Sequence, residues 1–63
     1  MTSKQFRALL DESLMSQRQM AKALGLNERT IRRYVEPGAK IPRVVELAAR
    51  WVAQESLRKL SEM

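Results

Sequence analysis

Start and stop signals for two short helices lie close together on either side of Gly25. Ser16 and Gln19 have the S-x-x-Q spacing of a capping box, in which each side chain bonds the backbone N–H of the other residue. Gly25 tolerates the left-handed conformation that closes a helix, and Asn27 is a favourable first cap for the next one. Residues 16–35 are therefore predicted to fold as a helix of about two turns, a tight turn and a second short helix.

The spacing of small and apolar residues in this segment predicts that the two helices pack closely. The small Ala21 comes four residues after Gln17, and Gly25 comes eight residues after it. Ile31 comes fourteen residues after Gln17 and, together with Leu26, gives the second helix a buried inner side. Two short helices joined by a glycine-containing turn are the helix-turn-helix arrangement.

Amphipathic helices are predicted on both sides of this pair. The first runs from Thr2 to about Ser13 and begins with a second capping box, formed by Thr2 and Gln5. Its predicted inner face consists of Phe6, Leu9, Leu10 and Leu14. The third helix has Ile31, Tyr34 and Val35 as its buried stripe and ends near Val35, because Pro37 disfavours helical geometry at Glu36.

The last helix is predicted to open at Pro42, a residue well suited to a first helical turn. Its predicted apolar face consists of Val44, Val45, Ala48, Trp51 and Val52, with Leu47 beside it. Leu57, Leu60 and Met63 continue this helix or fray. We expect Trp51 to lie in the core rather than to serve as a base-stacking platform, since single-strand binders usually present several aromatic residues.

Composition limits what such a chain can do. The 63 residues include no cysteine and no histidine, which removes disulfides, thiolate metal sites, the usual general base and the commonest metal ligand. No uninterrupted apolar run exceeds three residues, whereas a membrane span needs about 20. We expect one all-α domain over residues 1–63 that is not an enzyme, holds no cofactor or metal, and lies in the cytoplasm.

The net charge of +5 arises from one segment of the chain. Residues 1–15 and 44–63 are each neutral, whereas residues 16–43 hold seven basic and two acidic side chains. The basic residues are Arg18, Lys22, Arg29, Arg32, Arg33, Lys40 and Arg43. Such clustering is typical of a protein that binds a polyanion, although a solvated surface has the same composition.

Residues 14–34 resemble the Cro/C1-type helix-turn-helix family, the lambda-repressor-like DNA-binding domains, and the resemblance extends over residues 3–54. It implies a compact fold of four to five helices whose third helix, residues 27–35, enters the major groove of double-stranded DNA. The family commonly has five helices, whereas this chain has room for one or two after Pro42. The implied function is a sequence-specific transcriptional regulator, by default a repressor, of the size encoded by phages, plasmids and small bacterial operons.

The resemblance also implies which side chains contact DNA. The candidates for base contact are Glu28, Arg29, Arg32 and Arg33. The candidates for backbone contact are Gln17, Arg18, Asn27, Thr30, Lys40 and Arg43. Arginine can bind guanine in a bidentate manner and glutamate can accept from cytosine, so we expect a G·C-containing half-site. Two candidates have competing structural roles, since Glu28 also suits the helix dipole and Asn27 also suits a cap.

A homodimer on an inverted repeat is expected, because one helix makes few base contacts and a symmetric copy supplies a second half-site about 34 Å away. The candidate dimerisation residues are Trp51, Leu57 and Leu60. The alternative function is a protein-interaction module of the antitoxin or adaptor type, for which DNA binding is secondary. Steep salt dependence with sequence preference distinguishes the DNA regulator from this alternative.

Overall fold

Four α-helices make up the computed structural model, which describes residues 1–62 and holds no strand within them. The helices are α1 (Ser3–Glu12), α2 (Gln17–Leu24), α3 (Glu28–Tyr34) and α4 (Arg43–Ser61). The predicted all-α class is therefore confirmed, while Met63 lies outside the described residues. In this part of the chain no helix has the length and apolarity needed to cross a membrane.

The first two helices begin at the predicted capping boxes. The hydroxyl of Thr2 accepts from the N–H of Gln5 at 3.1 Å, and the Gln5 side chain accepts from the Thr2 N–H at 2.8 Å. Ser16 and Gln19 repeat this pairing at 3.1 and 2.9 Å. Each pair satisfies two N–H groups that a helix start otherwise leaves without partners, so both predicted helix starts are confirmed.

The end of α1 differs from the prediction, because Leu14 does not lie on its inner face. The helix ends at Glu12, and Leu14 has a φ of +55° and is 74% exposed. The N–H of Leu14 donates to the Asp11 carbonyl at 3.2 Å, and the N–H of Met15 donates to Leu10 at 3.0 Å. Leu14 thus occupies the left-handed position that glycine usually takes after a helix, which turns its side chain out of the core.

The core lies between the four helices and is built mainly from aliphatic side chains. Its buried members are Phe6, Leu10, Met20, Ala21, Ile31, Val35, Ile41 and Ala49. Tyr34 packs edge-to-face on Phe6, with ring centroids 5.9 Å apart and planes at 70°, as expected for a stable aromatic pair. The predicted packing of Tyr34 is therefore confirmed.

The side of α4 that faces the core is not the predicted one. Ala49 and Ala53 are 0% and 2% exposed, whereas Val44 and Trp51 are 78% and 64% exposed. The prediction that placed Val44 and Trp51 in the core is wrong. The physical reason is that α4 carries apolar residues on two sides, and the alanine side lets α1 and α2 approach its backbone more closely. Part of the predicted face does pack on the core, namely Val45 and Val52.

Polar contacts fasten α4 to the first helix. The α-ammonium of Met1 lies 2.7 Å from the Glu46 carboxylate, and the guanidinium of Arg50 lies 3.4 Å from the same group. The hydrogen bond from the Met1 ammonium, then its charge and then the charge of Arg50, hold the pKa of Glu46 below its ordinary value. Near the other end of α1, the Ser56 hydroxyl donates to the Ser13 carbonyl at 3.2 Å. These contacts fix the direction in which α4 leaves the bundle.

Candidate nucleic-acid interface

The two sides of α3 differ sharply in polarity. Asn27 begins the helix, and its side-chain oxygen accepts from the N–H of Arg29 at 2.9 Å, as predicted for a cap. Ile31 is fully buried and faces the core. Arg29 and Arg33 each lie two residues, or about 200°, from Ile31, and both are exposed. These two arginines therefore share the face of α3 that points directly away from the core.

Glu28 and Arg32 form an ion pair beside that face. Their nearest charged atoms are 3.7 Å apart, and the two side chains are 46% and 65% exposed. Glu28 also lies in the first turn of α3, where a carboxylate is favoured by the helix dipole. All four predicted base-contact residues thus lie on the exposed part of α3, and the acidic one neutralises part of the charge of Arg32.

The turn before α3 is closed by backbone contacts that bring it against α2. Gly25 has a φ of +71°, and the N–H of Leu26 donates to the Ala21 carbonyl at 2.8 Å. Ala21 is 3% exposed, so its small side chain lies at the contact between the two helices. The predicted roles of Ala21 and Gly25 in this turn are confirmed, and the angle at which α3 is presented follows from them.

A residue that the sequence analysis missed holds the other end of α3. The Arg7 side chain donates through Nε to the carbonyl of Val35, directly after the last residue of α3, at 2.8 Å. A guanidinium is favoured there because the end of a helix carries unpaired carbonyls and partial negative charge. No signal in the sequence links Arg7 to Val35, since 28 residues separate them.

The predicted backbone-contact residues at the start of α2 lie near this end of α3. Gln17 is the first residue of α2, is half-buried and lines a shallow groove together with Arg7 and Val35. Arg18 follows it and is exposed. Thr30 is half-buried in the middle of α3. The structure thus brings Gln17 toward α3 and leaves the charge of Arg18 in solvent.

Two further basic residues flank α3 on the side of the loop that leads to α4. Lys40 lies in this loop and lines the same shallow groove as Arg33. Glu36 and Gly38 line this groove as well. Arg43 is the first residue of α4 and is exposed. Exposed basic side chains therefore continue from α3 to the loop that holds Lys40.

The basic residues of this segment differ in their partners from two arginines further along α4, Arg50 and Arg58. All seven basic side chains of residues 16–43 are exposed. Within the described residues 1–62, only Arg32 among the seven has an intramolecular ion pair. On α4, Arg50 pairs with Glu46 and Arg58 pairs with Glu55 and Glu62. Most of the basic side chains without an ion pair in residues 1–62 thus belong to residues 16–43. We call this set the basic surface, formed by Arg18, Lys22, Arg29, Arg32, Arg33, Lys40 and Arg43.

The three predicted dimerisation residues are exposed but do not share one face of α4. Trp51 is 64% exposed, Leu57 44% and Leu60 42%. Nine residues separate Leu60 from Trp51, or about two and a half turns, which places them on opposite sides of the helix. A single flat surface of a partner can therefore contact Trp51 or Leu60, but not both.

The described residues hold no group of three or more His, Cys, Asp or Glu side chains placed to bind a metal ion. No protein-family model matches the chain, and no curated protein or solved structure matches it.

Proposed function

We propose that this protein is a sequence-specific regulator that binds double-stranded DNA, with a lambda-repressor-like arrangement in which α3 enters the major groove. It represses transcription by occupying a palindromic operator as a homodimer. The observation that carries this proposal is the basic surface, in which six of seven exposed basic side chains have no intramolecular ion pair in residues 1–62. Neutralising DNA phosphates with such charges releases counterions and supplies much of the affinity.

Arg29 and Arg33 are the base readers in this proposal. They share the outermost face of α3, and each carries a guanidinium that can bind the O6 and N7 atoms of guanine. One such contact is worth about 1–3 kcal/mol of discrimination against the wrong base. The ion pair between Glu28 and Arg32 orients Arg32 beside them, so Glu28 acts mainly through Arg32.

The residues around α3 position it without reading sequence. Lys40 and Arg43 contact phosphates on the side of the loop, while Arg18 and Gln17 contact them on the side of α2. Asn27 caps α3 with its side-chain oxygen, which leaves its amide nitrogen for a phosphate. Contacts from two sides fix the register of α3 in the groove.

A second candidate function is a protein-interaction module of the antitoxin or adaptor type. One observation favours it: Val44, Leu47 and Trp51 expose apolar surface that the fold of a single chain leaves uncovered. In that case an acidic partner binds the basic surface, and DNA is bound weakly and without sequence preference. The two functions differ in the salt dependence and sequence dependence of DNA binding.

The proposed function is tested by measuring DNA affinity of four proteins over a range of salt concentrations. Lys40→Ala is expected to weaken binding to all duplexes and to reduce the slope of log K against log salt by about 0.9 for each phosphate that is no longer neutralised. Arg33→Ala is expected to relax specificity at one base position. Lys59→Ala removes an exposed lysine of α4 outside the basic surface and is the matched control, which should bind as the unmodified protein does.

Equal effects of Lys40→Ala and Lys59→Ala would show that the charge acts only through the net charge of the protein. Equal effects of Lys40→Ala and Arg33→Ala on every sequence would refute the division into phosphate contacts and base readers. Tight binding of a protein partner, with weak and sequence-independent DNA binding, would favour the second candidate function.

A further inference from the structure

The arginines of α3 lie on two different lines along the helix. At about 100° per residue, Arg29 and Arg33 lie about 160° and 200° from the buried Ile31, so their midline points directly away from the core. Arg32 lies about 100° from Ile31 and therefore about 80° from that midline. Arg32 is thus on a flank of α3 and not on its outermost face.

The two flanks of α3 carry different side chains. Glu28 lies on the same side as Arg32, about 40° closer to the core, whereas the opposite flank carries the uncharged, half-buried Thr30. The major groove is about 12 Å wide and a helix with its side chains is about 10–12 Å across. A helix seated there points its outermost face at the base edges and its flanks at the two sugar–phosphate walls. The position of Arg32 therefore suits a phosphate better than a base.

The ion pair between Glu28 and Arg32 is weak enough to exchange. Its nearest charged atoms are 3.7 Å apart, longer than the roughly 2.7–2.9 Å of a charge-assisted hydrogen bond, and its side chains are 46% and 65% exposed. An exposed pair at this four-residue spacing favours the paired state by only about twofold. Glu28 therefore holds Arg32 in roughly two thirds of the free molecules.

A DNA phosphate at this flank competes with the Glu28 carboxylate for Arg32. A phosphate accepts two parallel N–H···O bonds from one guanidinium, which gives it the stronger contact once DNA is bound. A guanidinium that bridged both anions would hold the carboxylate close to the phosphate, where two like charges repel each other. Binding of Arg32 to the phosphate therefore requires that its pair with Glu28 opens.

We propose that Arg32 is a phosphate contact and that Glu28 lowers the affinity for every duplex by competing with the phosphate for it. The reduction is about two- to threefold, because only the molecules in which Arg32 is unpaired are ready to bind. This inference rests on the proposed function. It assigns two of the four predicted base-contact residues, Glu28 and Arg32, to the sequence-independent part of binding and leaves base preference to Arg29 and Arg33.

The test measures Kd by fluorescence anisotropy, over a range of salt concentrations, for a duplex selected from a random pool and for an unrelated duplex. Arg32→Ala is expected to weaken binding to both duplexes by the same factor and to reduce the slope of log K against log salt by about 0.9, the value for one phosphate. Glu28→Gln is expected to lower both Kd values by about two- to threefold, and this gain shrinks as salt screens the ion pair.

Glu36→Gln is the matched control. Glu36 is an exposed acidic residue just beyond α3 that has no ion pair in residues 1–62, so its replacement changes the net charge equally without releasing an arginine. In protein that carries Arg32→Ala, Glu28→Gln should change Kd no more than Glu36→Gln does. Circular dichroism establishes that each variant folds, as the exposed positions predict.

Two results overturn the inference while the proposed function stands. One is a changed base preference in Arg32→Ala or Glu28→Gln, which shows that the replaced residue reads bases. The other is an equal effect of Glu28→Gln and Glu36→Gln in otherwise unmodified protein, which leaves the ion pair with no role beyond stabilising α3. If the unmodified protein binds neither duplex, the proposed function is refuted, and this inference is refuted with it.

Discussion

Replacing Arg7 with methionine is expected to destabilise the fold and to weaken DNA binding, although Arg7 lies outside the basic surface. The Arg7 guanidinium donates to the Val35 carbonyl at 2.8 Å and so holds the end of α3. Hydrogen bonds from a charged donor contribute about 1.5–3 kcal/mol when buried, and this one is only partly buried. Because methionine keeps most of the aliphatic stem of arginine, we expect the free energy of unfolding to fall by only about 1–1.5 kcal/mol.

The assay is thermal unfolding followed by circular dichroism, in which this loss lowers Tm by about 4–8 °C for each kcal/mol. Lys4→Met removes an exposed basic residue of the same helix whose side chain makes no hydrogen bond or ion pair within residues 1–62, and it is the matched control. Arg7→Lys keeps the charge but not the planar donor, and it should fall between the two. Equal Tm values for Arg7→Met and Lys4→Met would refute the argument that Arg7 fixes α3.

Two further predictions concern the turn and the acid stability. Gly25→Ala places a side chain at a φ of +71° where the new Cβ has no neighbour within 4 Å, so only backbone strain is added. We expect the free energy of unfolding, measured with denaturant, to fall by about 1 kcal/mol, and the DNA affinity of the folded protein to stay unchanged. A loss of affinity without a loss of stability would contradict this. Because the pKa of Glu46 is lowered by folding, its contribution to stability is present above its ordinary pKa of 4.5 and is lost as pH falls through the lowered value. The stability of Glu46→Gln should therefore fall less steeply in acid than that of the unmodified protein, and parallel Tm–pH curves would show that Glu46 is not involved.

The local signals in the sequence predicted the helix boundaries well. Thr2, Ser16 and Asn27 cap the first three helices as expected, and Gly25 ends α2. Each of these signals involves side chains and backbone groups only a few residues apart, so the sequence contains all the information that they need. The exposed basic face of α3 followed from the same reasoning, because Ile31 fixes which side is buried.

The features that the sequence did not reveal depend on contacts between distant segments. Helix α4 carries apolar residues on two sides, and the packing of Ala49 and Ala53 against the other helices decides which side is buried. The sequence does not show this packing, so Trp51 was wrongly predicted to lie in the core. The contact from Arg7 to Val35 joins residues 28 apart and has no local signature. Leu14 was expected on the inner face, since periodicity alone does not show where a helix ends.

Selection from a random pool shows whether α3 and the basic surface bind duplex DNA with sequence specificity. The protein is mixed with random duplexes at near-physiological salt, and the bound fraction is amplified and sequenced. We expect enrichment of an inverted repeat whose G·C-containing half-sites lie about one helical turn, or roughly 34 Å, apart. Binding without enrichment of any sequence would contradict it.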